Sequence, residues 1–276
     1  MTTSIPTVWS PPEMAHPRQR AASLVRAEWT KMRTVRSTMW TLVAMAIVTV
    51  GIAAIAGSTV ASRWNTFSVI QRLSFDPTRV SLRGLLFGQL IIGVLGVLVM
   101  SAEYGTGTIR STLAAVPRRP RVLAAKAVVF FVVAAVVGEV LSFSGFLVGQ
   151  SLLVSPAPHA VLSQPGVLRA VIGGGLILAV LGEFALGLAS IIRHSAGAIT
   201  AYVGVLLVAP IILQALPSSI SQPILKFMPF TISDTMVSVS PTGTGAFSPW
   251  VGFALLVGYA IAALVVGGWL LVRRDA

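Results

Sequence analysis

Six long stretches that are almost free of charged residues dominate this sequence of 276 residues. A helix of about 20 apolar residues crosses the roughly 30 Å hydrocarbon core of a bilayer. Because backbone polar groups find no water there, an apolar stretch of that length crosses as a helix. The sequence therefore predicts an all-α integral membrane protein with six transmembrane helices, at about 39–60, 84–102, 122–153, 167–192, 197–216 and 250–272.

The composition agrees with this assignment and excludes several other classes of protein. Charged residues make up only 10% of the chain, whereas a soluble domain has about 25%. A net charge of +12 would suggest a nucleic-acid partner in a soluble protein. Here the cations separate apolar runs instead of forming one patch, so we expect no nucleic-acid binding. The absence of cysteine excludes disulfides, thiolate metal sites and cysteine nucleophiles.

The distribution of lysine and arginine predicts the orientation. Six spans place both termini on one side of the membrane, and short loops rich in lysine and arginine face the cytoplasm. Fourteen of the 20 cations lie on the side of the termini and six lie opposite, four of these in the first outer loop. We therefore expect both termini in the cytoplasm.

The chain begins with a segment that differs from the rest. Residues 1–20 contain four prolines and no apolar core. Prolines interrupt helices, and a targeting sequence would need an apolar stretch. We expect a disordered tail at 1–20, followed by one six-span domain at 21–276.

A second segment, from Ala21 to Arg36, precedes the first span. Val25, Trp29 and Met32 recur in it at helical spacing among several cations. This pattern predicts an amphipathic helix that lies in the membrane interface and contacts lipid. A cytoplasmic extension of the first span is the alternative.

The loop between the second and third spans is the most charged part of the chain. The chain leaves the second span at Glu103 and is expected to turn at Gly105. A short amphipathic helix follows, with Ile109 and Leu113 on one face, before Pro117 ends it. Such a helix is typical of docking into a groove on a soluble partner. Anchoring to lipid alone explains the residues equally well.

The segment 217–249, on the outer side, mixes apolar pieces with prolines and glycines. It is too short and too interrupted to span the bilayer. We predict one or two re-entrant or interfacial helices there.

No pattern typical of an enzyme is found. A loop that binds ATP phosphates ends in Gly-Lys-Ser/Thr, but the lysines of this chain follow Thr30, Ala125 and Leu225. The histidines are isolated, and no Gly-x-Ser-x-Gly motif occurs. We therefore expect no catalytic, cofactor or metal site, and any ATP must be hydrolysed by another chain.

Three segments resemble the type-2 ABC exporter permeases of high-GC Gram-positive bacteria. They are "RAEWTKMRTVRSTMWTL" from Arg26, "EYGTGTIRSTLAAVPRRPRVLAAK" from Glu103 and "RHSAGAI" from Arg193. In order, they are similar to that family's pre-membrane segment, its first cytoplasmic loop and the start of its fifth span. The resemblance extends from about Leu24 to the C terminus.

This resemblance implies a multi-pass protein of the bacterial plasma membrane that works as a pair of permease subunits. Two separate ATPase subunits would bind ATP and Mg²⁺. The outer segment 217–249 would close the exit, and the loop after the second span would form a coupling helix. The ATPase-coupling residues would then be Glu103, Tyr104, Gly105, Thr106, Thr108, Ile109, Arg110 and Leu113.

Two carboxylates, Glu139 and Glu183, lie inside predicted spans. Glu139 follows Lys126 by 13 residues, or about 20 Å along a helix, and Glu183 precedes Arg193 by 10 residues, or about 15 Å. We expect both near mid-depth, protonated, hydrogen-bonded and facing the bundle or a cavity. They would form a substrate or proton site, or else a structural hydrogen bond between helices.

We therefore predict the permease subunit of an ATP-driven ABC exporter. Two other classes remain open from the residues alone. One is a proton-coupled secondary transporter that uses Glu139 and Glu183 without an ATPase. The other is a membrane anchor or sensor that docks a soluble partner and transports nothing.

Overall fold

A computed structural model describes residues 21–105, 107–108, 119–240 and 246–273. In these ranges the chain forms helices and no strands, which confirms the all-α prediction. In chain order the helices are α1 (Ala21–Thr34), α2 (Arg36–Arg63), α3 (Val69–Leu73), α4 (Pro77–Ser81), α5 (Leu85–Gly105), α6 (Arg119–Leu152), α7 (Val167–Ile192), α8 (Ser195–Val203), α9 (Ala209–Gln214), α10 (Ser218–Leu225), α11 (Pro229–Val237) and α12 (Pro249–Arg273).

Among the described residues, six helical segments are long and apolar enough to cross a bilayer, which confirms the predicted number of spans. They are α2, α5, α6, α7, the combined α8–α9 segment and α12. The α8–α9 segment contains a π-helical turn at Gly204–Val208, which ends two residues before Pro210. Because proline has no N–H and its ring displaces the carbonyl four residues earlier, a widened turn at this point keeps the span continuous.

The central helix is α7, which packs against α5, α6 and α12 and is buried over most of its surface. Glycines bring its backbone close to its neighbours. A Cβ atom on Gly138 of α6 would lie 2.5 Å from the Gly175 carbonyl oxygen, and one on Gly187 would lie 2.6 Å from the Ala263 Cβ of α12. Such close helix contacts depend on small residues.

Helix α1 is separated from the first span by Val35, whose φ and ψ of −77° and 109° are extended. It packs against α6 and the start of α2. The break means that α1 is not a continuous extension of the first span. A separate helix thus occupies this segment, and it ends at Thr34, two residues before the end of the predicted segment at Arg36.

The opposite end of the bundle carries the short helices. Helices α3 and α4 connect the first two spans, and α10 and α11 form the one or two short helices that were predicted in 217–249. Asp76 accepts hydrogen bonds from the backbone N–H groups of Thr78 and Arg79, at 3.0 Å each, and so caps α4. We refer below to the α1 end and the α4 end of the bundle.

Candidate functional site

Four charged side chains meet at the α1 end, where α1, α5 and α6 come together. Lys126 of α6 donates hydrogen bonds to Glu28 of α1 at 2.7 Å and to Glu103 of α5 at 2.8 Å. Lys31 of α1 binds the same two carboxylates, at 2.8 Å and 2.9 Å. We call Glu28, Lys31, Glu103 and Lys126 the charge cluster. Its two cations and two anions alternate around a closed ring.

Burial differs sharply within the charge cluster. The side chain of Lys126 is 3% exposed and those of Glu28 and Glu103 are 8% and 12% exposed, whereas that of Lys31 is 45% exposed. Burial disfavours the charged form of Lys31, but hydrogen bonds and charge attraction from Glu28 and Glu103 outweigh it and raise the pKa of Lys31. A buried ion pair adds little net stability, yet removing one partner is costly because it leaves an uncompensated charge.

The charge cluster contains residues from both sides of the segment 106–118. Glu103 lies just before the segment 106–118, and Lys126 lies shortly after it. Charge-assisted hydrogen bonds therefore join α5, which precedes this segment, to α6, which follows it, and join both helices to α1.

A second set of contacts joins α5 to the turn between α7 and α8. The guanidinium of Arg193 lies over the ring of Tyr104, 5.6 Å from its centroid, and also donates a hydrogen bond to the Leu270 carbonyl at 3.0 Å. The Ser195 hydroxyl donates to the Ser101 hydroxyl at 2.8 Å. The three segments that carry the family resemblance thus meet at the α1 end.

The structure describes half of the predicted coupling residues. Glu103 belongs to the charge cluster, Tyr104 lies under Arg193, and α5 ends at Gly105. Thr108 lines a cavity of about 380 Å³ beside the charge cluster, between α1, α2 and α5. The residues outside the described ranges are Thr106, Ile109, Arg110 and Leu113.

The chain leaves α5 at Gly105, where the turn was predicted. The N–H of Gly107 donates to the Tyr104 carbonyl, and Gly107 has a positive φ of 71°. Glycine adopts this conformation without the steric cost that a side chain brings.

The predicted interfacial residues of α1 fall on two faces. Met32 is buried against the bundle, together with Glu28 one turn earlier. Val25 and Trp29 are 36% and 42% exposed. This leaves an aromatic and an aliphatic side chain on the outside of α1, the pattern typical of helices that contact headgroups.

Glu139 and Glu183 are not close to each other. The Glu139 carboxyl packs against Gly175 of α7, where a Cβ atom would meet its Cδ at 2.6 Å. Glu183 lies eight residues further along α7, or about 12 Å nearer the α1 end. All four carboxyl oxygens are buried without a hydrogen-bond partner in the described part of the chain. Within the described part of the chain, the expectation that Glu139 and Glu183 are hydrogen-bonded is therefore wrong.

At the α4 end, charged side chains bind α11 and the residues after it. Arg79 forms a bidentate ion pair with Asp234, with both N···O distances at 2.8 Å. Arg169 donates to the Met236 and Ser238 carbonyls at 2.9 Å and 2.8 Å. Asp76, which caps α4, also accepts hydrogen bonds from the backbone N–H groups of Val239 and Ser240 at 2.7 Å and 3.0 Å. Residues of α4, its cap and α7 thereby hold α11 and the residues after it in place.

The charge cluster was not predicted from the sequence, although two signals for it were present. Glu28 and Lys31 have the spacing of a helical ion pair. Glu103 and Lys126 are charges that lie within the ends of spans on either side of one loop. Charges in such positions need partners, and each of these four residues pairs with two of the others.

Comparison with known protein families identifies the family to which the chain is similar. Residues 24–200 match the family described as ABC-2 family transporter protein. The match covers more than half of the chain and includes α1, the charge cluster and the first four spans. A comparison with curated proteins finds no match.

Proposed function

The chain belongs to the ABC-2 transporter family, and from that premise we propose that it is the permease subunit of an ATP-driven exporter. It would form the substrate path and couple to a separate ATPase subunit. The resemblance seen in the three sequence segments is confirmed at the level of the family, which is one of membrane permeases of ABC transporters.

The observation that carries the coupling proposal is the position of the charge cluster. Lys126 and Glu103 flank the segment 106–118 and are tied to α1 by Glu28 and Lys31. An ATPase that contacts this segment would move α5, α6 and α1 as a unit. A movement of the ATPase would then be passed to the second and third spans through both α5 and α6, and not through a single connecting helix.

The proposal places the α1 end in the cytoplasm of a bacterium, where an ATPase is available. Two such chains would pair in the plasma membrane, each with an ATPase subunit that binds ATP and Mg²⁺. Exposed apolar side chains on α2 and α12, such as Trp40, Ile47, Ile261 and Val265, supply surface for lipid and for a second permease.

The proton-coupled alternative lacks support in the geometry. Glu139 and Glu183 are separated by about 12 Å in depth. Neither carboxyl has a hydrogen-bond partner among the described residues. A proton relay through them would need polar groups in between.

The test is purification of the chain from its native membrane with its associated proteins. We expect recovery of a chain with an ATP-binding Gly-x-x-x-x-Gly-Lys-Ser/Thr motif, and ATP hydrolysis by the complex but not by the permease alone. Ile109→Asp should reduce recovery of the ATPase at least about tenfold, because it places a charge on the face expected to enter the ATPase groove.

The matched control is Ile70→Asp, which makes the same change at an exposed residue of α3 at the α4 end. It should leave recovery of the ATPase unchanged. Normal recovery with Ile109→Asp would show that Ile109 contacts lipid only. ATP hydrolysis by the permease alone would contradict the proposal that a separate subunit hydrolyses the ATP.

A further inference from the structure

A cavity of about 340 Å³ lies at the α4 end of the bundle, between α2, α4, α5 and α11. This volume falls within the range of about 300–1,000 Å³ typical of small-molecule sites. One part of its wall is charged and consists of Arg79, Arg83 and Asp234. The rest of the wall is mainly apolar, with side chains such as Ile52 and Leu86. The cavity therefore offers both a charged and an apolar surface.

Two contacts between helices border this cavity. A side chain at Gly84 would collide with the Thr49 carbonyl oxygen, so the chain just before α5 packs directly against α2. Ile52, about one turn further along α2, lines the cavity. On the other side, the ion pair of Arg79 with Asp234 holds α11 against α4. Both contacts therefore fix the helices that form the walls.

The charged and apolar parts of the cavity lie at different depths. Arg83 precedes Leu85, the first residue of α5 and of the second span. Gln89 also lines the cavity and lies four residues further along that helix, or about 6 Å. Phe87 lines the cavity as well and is 43% exposed on the surface of the bundle. The charged part thus lies at the boundary of the span, and the apolar part lies within the span and borders the lipid.

The charges of the cavity do not balance among the described residues. Arg79 and Asp234 pair with each other. Arg83 is exposed, and its side chain has no hydrogen bond or ion pair with any residue in the described ranges. Two arginines and one aspartate therefore leave one positive charge for a ligand. The guanidinium of arginine is well suited to phosphate, because it donates two parallel hydrogen bonds to two oxygens.

We propose that this cavity binds an anionic phospholipid from the leaflet at the α4 end. The phosphate would accept hydrogen bonds from Arg83, and one acyl chain would lie against Ile52, Leu86 and Phe87. Basic pockets between spans bind anionic head groups in this way. The inference concerns lipid binding alone and does not rest on coupling to an ATPase.

Charge complementarity favours this occupant over three others. Phosphatidylcholine has the same phosphate and chains, but its choline brings another positive charge close to Arg79 and Arg83. A free phosphate ion would leave the apolar walls uncovered. A second copy that docked through the same face would bring the arginines of both chains together, and such like charges repel. An anionic phospholipid satisfies both the charged and the apolar part of the cavity.

The experiment uses two photoreactive phospholipids that carry the same diazirine-bearing acyl chain and differ only in the head group, phosphatidylglycerol or phosphatidylcholine. The full chain is placed in phosphatidylcholine nanodiscs that contain a small fraction of one probe, and labelled peptides are identified by mass spectrometry. We expect saturable labelling within residues 79–89 and 230–237. Phosphatidylglycerol should reach half-maximal labelling at about fivefold lower mole fraction, the factor that one basic residue near an anionic head group gives.

Variants test which residues give the preference. Arg83→Gln removes the unbalanced charge and should abolish the preference for phosphatidylglycerol. Arg63→Gln is the matched control, because Arg63 is also an exposed arginine at the α4 end but does not line the cavity. It should preserve the preference. Leu86→Trp fills part of the cavity and should reduce labelling by both probes.

Several outcomes would overturn the proposal. One is equal labelling by the two probes in the native protein, and another is an unchanged preference in Arg83→Gln. Displacement of the lipid by soluble glycerol 3-phosphate would show a site for a free anion instead. An absence of labelling by both probes is the result expected if a second copy covers the cavity. If Leu86→Trp does not fold, Arg83→Gln still decides the question, because it changes an exposed side chain.

Discussion

The two ends of the bundle use charged residues in different ways. At the α1 end, the charge cluster pairs side chains with side chains and is largely buried, with Lys126 only 3% exposed. At the α4 end, the ion pair of Arg79 with Asp234 has side chains that are 49% and 29% exposed. Asp76 and Arg169 bind mainly backbone groups there.

This difference indicates that the ends resist disruption to different degrees. Buried charges at the α1 end have no water to replace a lost partner. Exposed ion pairs at the α4 end exchange protein contacts for water at little cost. The bundle is therefore expected to be joined firmly where α1, α5 and α6 meet, and more loosely where Arg79 of α4 pairs with Asp234 of α11.

The largest expected effect comes from the buried lysine of the charge cluster. Lys126→Met leaves Glu28 and Glu103 with only the half-exposed Lys31 between them. We expect a loss of about 3–5 kcal/mol in the free energy of unfolding, as for other broken buried pairs. Titration with sodium dodecyl sulfate, followed by circular dichroism, would measure it.

Lys31→Met is the matched control, because Lys31 binds the same two carboxylates but is 45% exposed. Its cost should be well below that of Lys126→Met, since solvent screens its interactions. Adding Glu103→Gln to Lys126→Met should recover part of the lost stability by removing one of the two remaining anions. Equal costs for the two lysines would contradict the assignment of the effect to burial.

The sequence predicts the architecture of this protein better than its internal contacts. The spans are recognised from apolar length alone, because the hydrocarbon core accepts no other backbone structure in such a stretch. The separate helix at α1 and the short helices in 217–249 also follow from local patterns. These features depend on a residue's neighbours in the chain.

The contacts between distant residues are what the sequence did not predict. Lys126 and Glu28 are 98 positions apart, and Arg79 and Asp234 are 155 apart, so no local pattern pairs them. The expected hydrogen bonds of Glu139 and Glu183 failed for a related reason. Which groups face a side chain depends on how neighbouring helices pack, including close contacts such as that of Gly138 with Gly175.

A smaller effect is expected at the α4 end from Asp76, which is 7% exposed. Asp76→Ala removes the cap of α4 and the acceptor for the Val239 and Ser240 N–H groups. We expect a loss of about 2 kcal/mol, in the range of lost helix caps and unsatisfied buried groups. The same detergent titration would measure it, and Asp76→Asn should be milder because it keeps one acceptor oxygen.

The smallest effect is expected from the exposed ion pair at the α4 end. Arg79→Ala removes both hydrogen bonds to Asp234. Because the Arg79 side chain is 49% exposed, water compensates for most of the loss, and we expect a cost below about 1 kcal/mol. Raising the salt concentration should narrow the difference in stability between native and variant protein further, since the Debye length falls from about 10 Å at 0.1 M to about 3 Å at 1 M. The free energies of unfolding of the native protein, Arg79→Ala, Asp234→Ala and the double variant, measured at low and high salt, give the interaction energy directly. An interaction energy above about 3 kcal/mol that does not depend on salt would show that this pair behaves as a buried one, and the contrast between the two ends would then be lost.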